Sequence, residues 1–183
     1  MAISRILHMN SHHKSNGSHL QVAIDYILKD EKTMNGLLTG SVNCIKENAY
    51  ECMEETKRNF WKDGQETRYH LIISFEENEC DGNTAMKVIE DFVREYLESD
   101  YEAVYAVHTN TDHVHGHIIW NSVRFTDGYK YHYKKGDWEK DIQPRIDRIC
   151  EKYNLSTLEK SIEKTDKKNG MFKELDIVWN EQN

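Results

Sequence analysis

Four histidines stand within ten residues, at positions 108, 113, 115 and 117, in the stretch VHTNTDHVHGHIIWNSV. On an extended chain alternate side chains share a face, so His113, His115 and His117 project together. If the strand that ends at His108 pairs antiparallel with 113–121, His108 lies across the turn and converges on the same point. Three imidazoles from adjacent strands, with coordination positions left open, make a catalytic metal site rather than a closed structural one. Neutral nitrogen ligands suit Mn, Ni, Co, Cu or Zn better than Ca. With no ligand carboxylate to offset its charge, such an ion attracts anions and polarises a phosphoryl oxygen. That is phosphate chemistry, and it needs a nucleophile, either water or a side chain.

The side-chain candidate is Tyr26, in AIDYILKDEK. Leu20, Ala23, Ile24, Ile27 and Leu28 form the apolar stripe of a helix here. Tyr26 falls on the border of that stripe beside Val22, where a hydroxyl can leave the core and face a cleft. A phenol, with an ordinary pKa of about 10, is a poor nucleophile unless a cation or a base helps it.

The elements that must position these residues can be read from periodicity. Residues 2–8, 68–75, 101–108 and 113–125 read as strands. The Asp127-Gly128 turn leads to a short fifth strand at 129–133. Ser18 is placed as the N-cap of the tyrosine helix, and 35–45 reads as a loop or short hairpin. A charged helix covers 46–62. A third helix is capped by Asn83 and turns Ala85, Val88, Ile89, Phe92, Val93 and Leu97 inward. A fourth covers roughly 137–153, with Pro144 in its first turns. His70 shares a strand face with Ile72 and Ser74 and borders the site or packs in the core. The tail from 154 reads as polar helix and loop, with an apolar end and no terminator, as if cut from a longer chain.

The chain has 183 residues, 38% hydrophobic and 31% charged, a size that fits one domain. No apolar run approaches the ~18 residues of a membrane helix, and the N-terminus has no apolar core of a secretory signal. No membrane insertion is therefore expected. The four cysteines form no CxxC pair, and reduced thiols in a cytoplasmic protein are expected.

The net charge of −8 is carried by residues 76–102, with ten acids against Lys87 and Arg94; the remainder is neutral. The acidic balance thus describes one segment and does not exclude a nucleic-acid partner. Just beyond the histidine strand, Arg124, Lys130, Lys134 and Lys135 interleave with Tyr129, Tyr131, Tyr133 and Trp138. Basic and aromatic residues in that mixture suit phosphates and stacked single-stranded bases, or equally a hairpin with its aromatics packed inward. His8, His12, Lys14 and His19 near the N-terminus are a weaker candidate surface.

Taken together, AIDYILKDEK, RYHLIISFEENE and HTNTDHVHGHIIWNSV followed by DGYKYH resemble the relaxase, or mobilization nuclease, family of plasmids and integrative elements. The likeness spans residues 1–160. It is greatest to the branch of the tumour-inducing-plasmid relaxase and Gram-positive mobilization proteins. The resemblance implies an α/β (α+β) fold: a central antiparallel five-stranded sheet, helices packed mainly on one face, and the metal site on the central strands. It implies a relaxase domain over 1–160 and the start of a further region at 161–183.

By the same resemblance Tyr26 is the nucleophile and His108, His115 and His117 hold a divalent metal, Mn²⁺ or Mg²⁺ first, with Zn²⁺, Ni²⁺ or Co²⁺ as alternatives. The substrate is single-stranded or hairpin DNA at a transfer origin. The product is a 5′-phosphotyrosyl link that keeps the diester energy for rejoining. Asn121, Arg124, Lys130, Tyr131, Lys134 and Lys135 would contact DNA, and accessory DNA-binding and coupling proteins would be partners. A rolling-circle replication initiator or transposase uses the same chemistry, but those relatives place the tyrosine after the histidines. A DNA-binding module with a non-catalytic metal site is a third reading.

Two departures stand out. His113-Val114-His115 fits a histidine-hydrophobic-histidine label literally, while His115-Gly116-His117 has glycine between its ligands. The second pair is preferred because the family spaces its last histidine four positions before an Asn, as His117 and Asn121 are here. His113 then becomes a neighbour of the ligands or an alternative ligand. The acid that relatives place near the ligands is not settled: Asp112, Glu76 and Asp25 are all in reach.

Overall fold

The computed structural model describes residues 2–9, 19–62 and 68–158, without the side chains of residues 8, 9 and 68. The expected cap at Ser18, the surface residues His12 and Lys14, the side chain of His8 and the region 161–183 lie outside the described residues. Five strands form one sheet: β1 (Ile3–Met9), β2 (Thr39–Val42), β3 (Arg68–Ser74), β4 (Ala103–His108) and β5 (His115–Asn121). Their spatial order is β1-β3-β5-β4-β2, and every neighbouring pair is antiparallel.

The histidine strand β5 is therefore central, between β3 and β4. Both β4 and β5 are buried along their whole length. Strands covered on both faces read as near-continuous apolar runs, and the polar exceptions in such runs call for a reason. Here the exceptions are the histidines and Asn121.

The pleat separates two cores. Gly116, Ile118 and Trp120 of β5, with Ala103, Tyr105 and Val107 of β4, face α3 (Gly82–Tyr96) and α4 (Gln143–Lys152). Ile119 of β5, with Val104 and Ala106 of β4, faces α1 (His19–Ile27) and α2 (Ala49–Asn59). The α3–α4 side is the larger core; α1 and α2 cover part of the other face. The acids of α3 meet bases of α4 along a seam, Glu95 with Arg145 and Arg148, and Asp91 with Lys152.

Three local expectations are corrected. The fifth strand is 39–42, not 129–133: the latter contributes one bridge, Val123 with Lys130, and Tyr131 and Tyr133 pack against the core without a ladder. The third helix is capped by Asp81, whose carboxylate accepts from the Thr84 amide at 2.7 Å, not by Asn83. The fourth helix opens with one π-helical turn, Trp138–Ile142, and Pro144 sits at the start of the α-helical part, where its missing N–H costs nothing.

Gly116 explains the small residue between two histidines. A Cβ there would lie 2.3 Å from Cδ1 and 2.6 Å from Cγ1 of Ile89, so α3 presses on the back of the ligand strand as closely as a hydrogen allows. Gly116→Ala should destabilise the fold by about 1–3 kcal/mol through overpacking. Denaturant unfolding measures this, and pairing the change with Ile89→Val should return part of the loss. An unchanged midpoint would show that the helix gives way easily.

Candidate metal centre and its tyrosine

His108 ends β4 and is paired directly with His115 at the start of β5; His117 is paired with Ala106. Alternation then turns all three rings to the α1–α2 face. They are buried, at 0%, 2% and 0% exposure for His108, His115 and His117. One nitrogen from each lies within 4.8 Å of the other two, and among the described residues this is the group of His, Cys, Asp or Glu side chains able to hold a metal ion. The ring centroids are 4.4 Å (His108–His117), 5.1 Å (His115–His117) and 5.2 Å (His108–His115) apart.

Hydrogen bonds orient the rings. Nε2–H of His108 donates to the Ile27 carbonyl at 2.9 Å, leaving its buried Nδ1 with no hydrogen-bond partner. A buried nitrogen without a hydrogen-bond partner, on a ring beside two more imidazoles, is what a cation would satisfy. Nδ1–H of His115 donates to the His113 carbonyl at 2.9 Å, an arrangement in which the ring acts through Nε2. Nδ1 of His117 meets Nε2 of His70 at 2.9 Å. Burial pushes His108 down to about 3 and His117 well below the ordinary imidazole value. That direction favours the neutral imidazole, the form that coordinates metals.

Among the described residues, hydrogen-bond partners of the three clustered rings include two carbonyls and an imidazole. Asp25 is on the exposed side of α1 and accepts from Gln21; Asp112 and Glu76 are exposed. His113 precedes β5, is half-buried, and donates from Nδ1 to the Phe75 carbonyl at 3.3 Å. Its backbone carbonyl is the one that accepts from His115. His70 lies under His117, as its strand face allowed.

Tyr26 stands in the last turn of α1, half-buried, packed against the smaller core. Its ring meets His108 edge-on at 5.9 Å and His117 at 6.2 Å between centroids. The chain holds it there at two adjacent points of β4's end. Ile27, the next residue, accepts from the His108 ring, and the Lys32 carbonyl accepts from the Thr109 amide at 3.1 Å. Lys32, in a single 3₁₀ turn after α1, was not visible as a site residue in the sequence. Its Nζ donates to Tyr26 Oη at 2.7 Å and lies 3.9 Å from the ring centroid.

The expected DNA contacts lie elsewhere. Asn121, at the other end of β5, is buried and donates to the Met53 carbonyl and to Glu102, which ties α2 to the sheet. Two ends of a seven-residue strand are about 20 Å apart. Arg124 pairs with Asp100 and Asp127 at 3.7 Å each and lies over the rings of Tyr101 and Tyr129. Tyr131 is half-buried, its hydroxyl 2.6 Å from that of Tyr96. Tyr96, Tyr101, Arg124, Tyr129 and Tyr131, with Lys134, line a cleft of about 520 Å³ on the α3 side of the sheet. Lys130 is half-buried and Lys135 exposed nearby.

A family model described as relaxase, MobA/VirD2-like, nuclease domain, matches residues 26–155. A Staphylococcus aureus protein named Rlx is 29% identical over 141 residues, 77% of this chain and 42% of that protein. A second Rlx of that organism is 32% identical over 136 residues, 73% of this chain and 38% of its own length. The group II intron-interrupted relaxase LtrB of Lactococcus lactis subsp. cremoris is 26% identical over 191 residues, 81% of this chain and 33% of that protein. The chain spans less than half the length of each of these relatives.

Proposed function

Because the chain belongs to the MobA/VirD2-like relaxase nuclease-domain family, we propose that it nicks one strand of transfer-origin DNA by tyrosine transesterification, in the bacterial cytoplasm, for transfer of a plasmid or integrative element. The observation that carries this reading is the contact of the Tyr26 ring with two of the three clustered imidazoles. A divalent ion on His108, His115 and His117, Mn²⁺ or Mg²⁺ first, supplies charge stabilisation at a phosphoryl oxygen when bound.

The protein's own residues do the rest. The His108 ring and the Thr109 amide, at the end of β4, hold Tyr26 at the edge of the cluster, so attack becomes a positioned, intramolecular event once DNA is bound. Tyr26 Oη forms a bond to phosphorus, the bond from phosphorus to the 3′-oxygen breaks, and the 3′-oxygen takes up the proton given up by the phenol. The strand is left with a 3′-hydroxyl and a 5′-phosphotyrosyl end, at little cost in bond energy. His70 and the two carbonyls fix the rings against rotation. The aromatic and basic cleft at the far end of β5 is a second contact for the same DNA, its hairpin included. Accessory DNA-binding and coupling proteins complete the proposed assembly.

Incubation with end-labelled single-stranded oligonucleotides tiling the transfer region of its own element, with Mn²⁺, tests this. A protein–oligonucleotide adduct that survives denaturation, at one site and on one strand, is expected. Free nicked product without adduct would mean a water-using nuclease. A shifted but intact strand would mean a binding module. An adduct formed at a replication origin and not at the transfer region would favour the initiator reading.

A further inference from the structure

Lys32 is a half-buried lysine whose ammonium is spent on a phenol oxygen. Its Nζ is 2.7 Å from Tyr26 Oη, and among the described residues it makes no ion pair with a carboxylate. The ammonium sits 3.9 Å from the centroid of the same ring, with Lys29 a more distant second cation at 5.9 Å. The placement comes from backbone and not from a chance rotamer alone. The 3₁₀ turn Asp30–Lys32 brings the lysine back over the helix end, and the Thr109 amide holds its carbonyl one residue beyond His108.

We propose that Lys32 is a catalytic residue of the nicking and rejoining reactions, stabilising negative charge on Tyr26 Oη in both directions. The proposal rests on the reading of Tyr26 as nucleophile. In cleavage, charge gathers on Oη as its proton leaves and the bond to phosphorus forms. In rejoining, the 3′-hydroxyl of the nicked strand attacks phosphorus and the phosphorus–Oη bond breaks. That electron pair passes to Oη, and the proton from the 3′-hydroxyl ends there. A fixed ammonium on this one atom serves both steps, because the phenolic oxygen is the nucleophile in one and the leaving group in the other. Its effect is greatest on rejoining, where the phenolate must depart.

The test compares wild type with Lys32→Met, which keeps the apolar stem and removes the charge, and with Lys32→Arg, which keeps the charge. Single-turnover adduct formation at saturating oligonucleotide, and rejoining of the purified adduct on adding the 3′-hydroxyl strand, are measured with Mn²⁺. Lys32→Met should slow both by about 10- to 100-fold, leave half-saturating oligonucleotide, Mn²⁺ retention and thermal unfolding unchanged, and Lys32→Arg should recover most of the rate. An adduct in wild type that forms equally fast in Lys32→Met overturns the proposal while Tyr26 stands. A parallel loss of Mn²⁺ retention or thermal stability in Lys32→Met assigns the lysine a structural role and overturns it too. No adduct at Tyr26 in wild type overturns both readings.

Discussion

Tyr26→Phe should remove the covalent adduct, by at least about a thousandfold, and leave binding of the same oligonucleotide within about threefold. The substitution deletes one atom. The ring that meets His108 and His117 stays, as does the face under the Lys32 ammonium. The lost hydrogen bond from Lys32 is half-buried and costs on the order of 1 kcal/mol. The fold, the histidine cluster and the DNA surface therefore remain, and only the nucleophile is gone. Adduct yield after denaturing electrophoresis and binding by fluorescence anisotropy give the two numbers. An adduct that persists in the variant places the nucleophile on another of the ten tyrosines; a parallel loss of binding shows Tyr26 to be a contact residue instead.

His117→Ala should lower divalent-metal affinity by about a hundredfold or more and cleavage with it, whereas His113→Ala should change both by less than about threefold. His117 sits at the middle of the cluster, within 5.1 Å of both other ligand rings by centroid, and is fully buried. Its loss also strips His70 of the imidazole it meets at 2.9 Å, so a modest drop in unfolding midpoint accompanies the loss of metal. The ring of His113 instead reaches the Phe75 carbonyl, and the carbonyl that His115 needs survives its removal. Titration calorimetry with Mn²⁺ separates the two variants. Equal losses in both would make His113 a ligand, and an unaffected His117→Ala would remove the assigned centre.

Much of the site was legible because it is built from strand alternation, the most regular pattern a sequence carries. His115 and His117 share a face by period, and His108 follows once β4 and β5 are antiparallel neighbours. Glycine between the ligands looked like a departure until α3 was seen to fill the space where a side chain would go. The parts that escaped depend on contacts between distant segments. β2 is four residues, Thr39–Val42, with glycine inside; it is a strand because Gly40 leaves room for the Tyr105 ring, to which a Cβ would come within 2.5 Å. Tyr129, Tyr131 and Tyr133 alternate as a strand does, but Tyr131 and Tyr133 pack against the main core and form no ladder. Lys32 is six residues from Tyr26, a spacing no helix brings together; a turn outside the helix does so. The resemblance implies a DNA contact at Asn121, yet its depth in the sheet and its bonds to Met53 and Glu102 make it an anchor of α2.

His108 carries two duties on one ring: Nδ1 is turned to the cluster while Nε2–H grips the last residue of the helix that bears the tyrosine. On the function proposed above, a cation on the other nitrogen would favour the tautomer whose Nε2–H holds Ile27, so metal binding and the placement of Tyr26 would be linked. Such linkage is reciprocal: whatever steadies the end of α1 would in turn raise the affinity for the ion. On that function, the cation and the tyrosine would each favour the placement of the other.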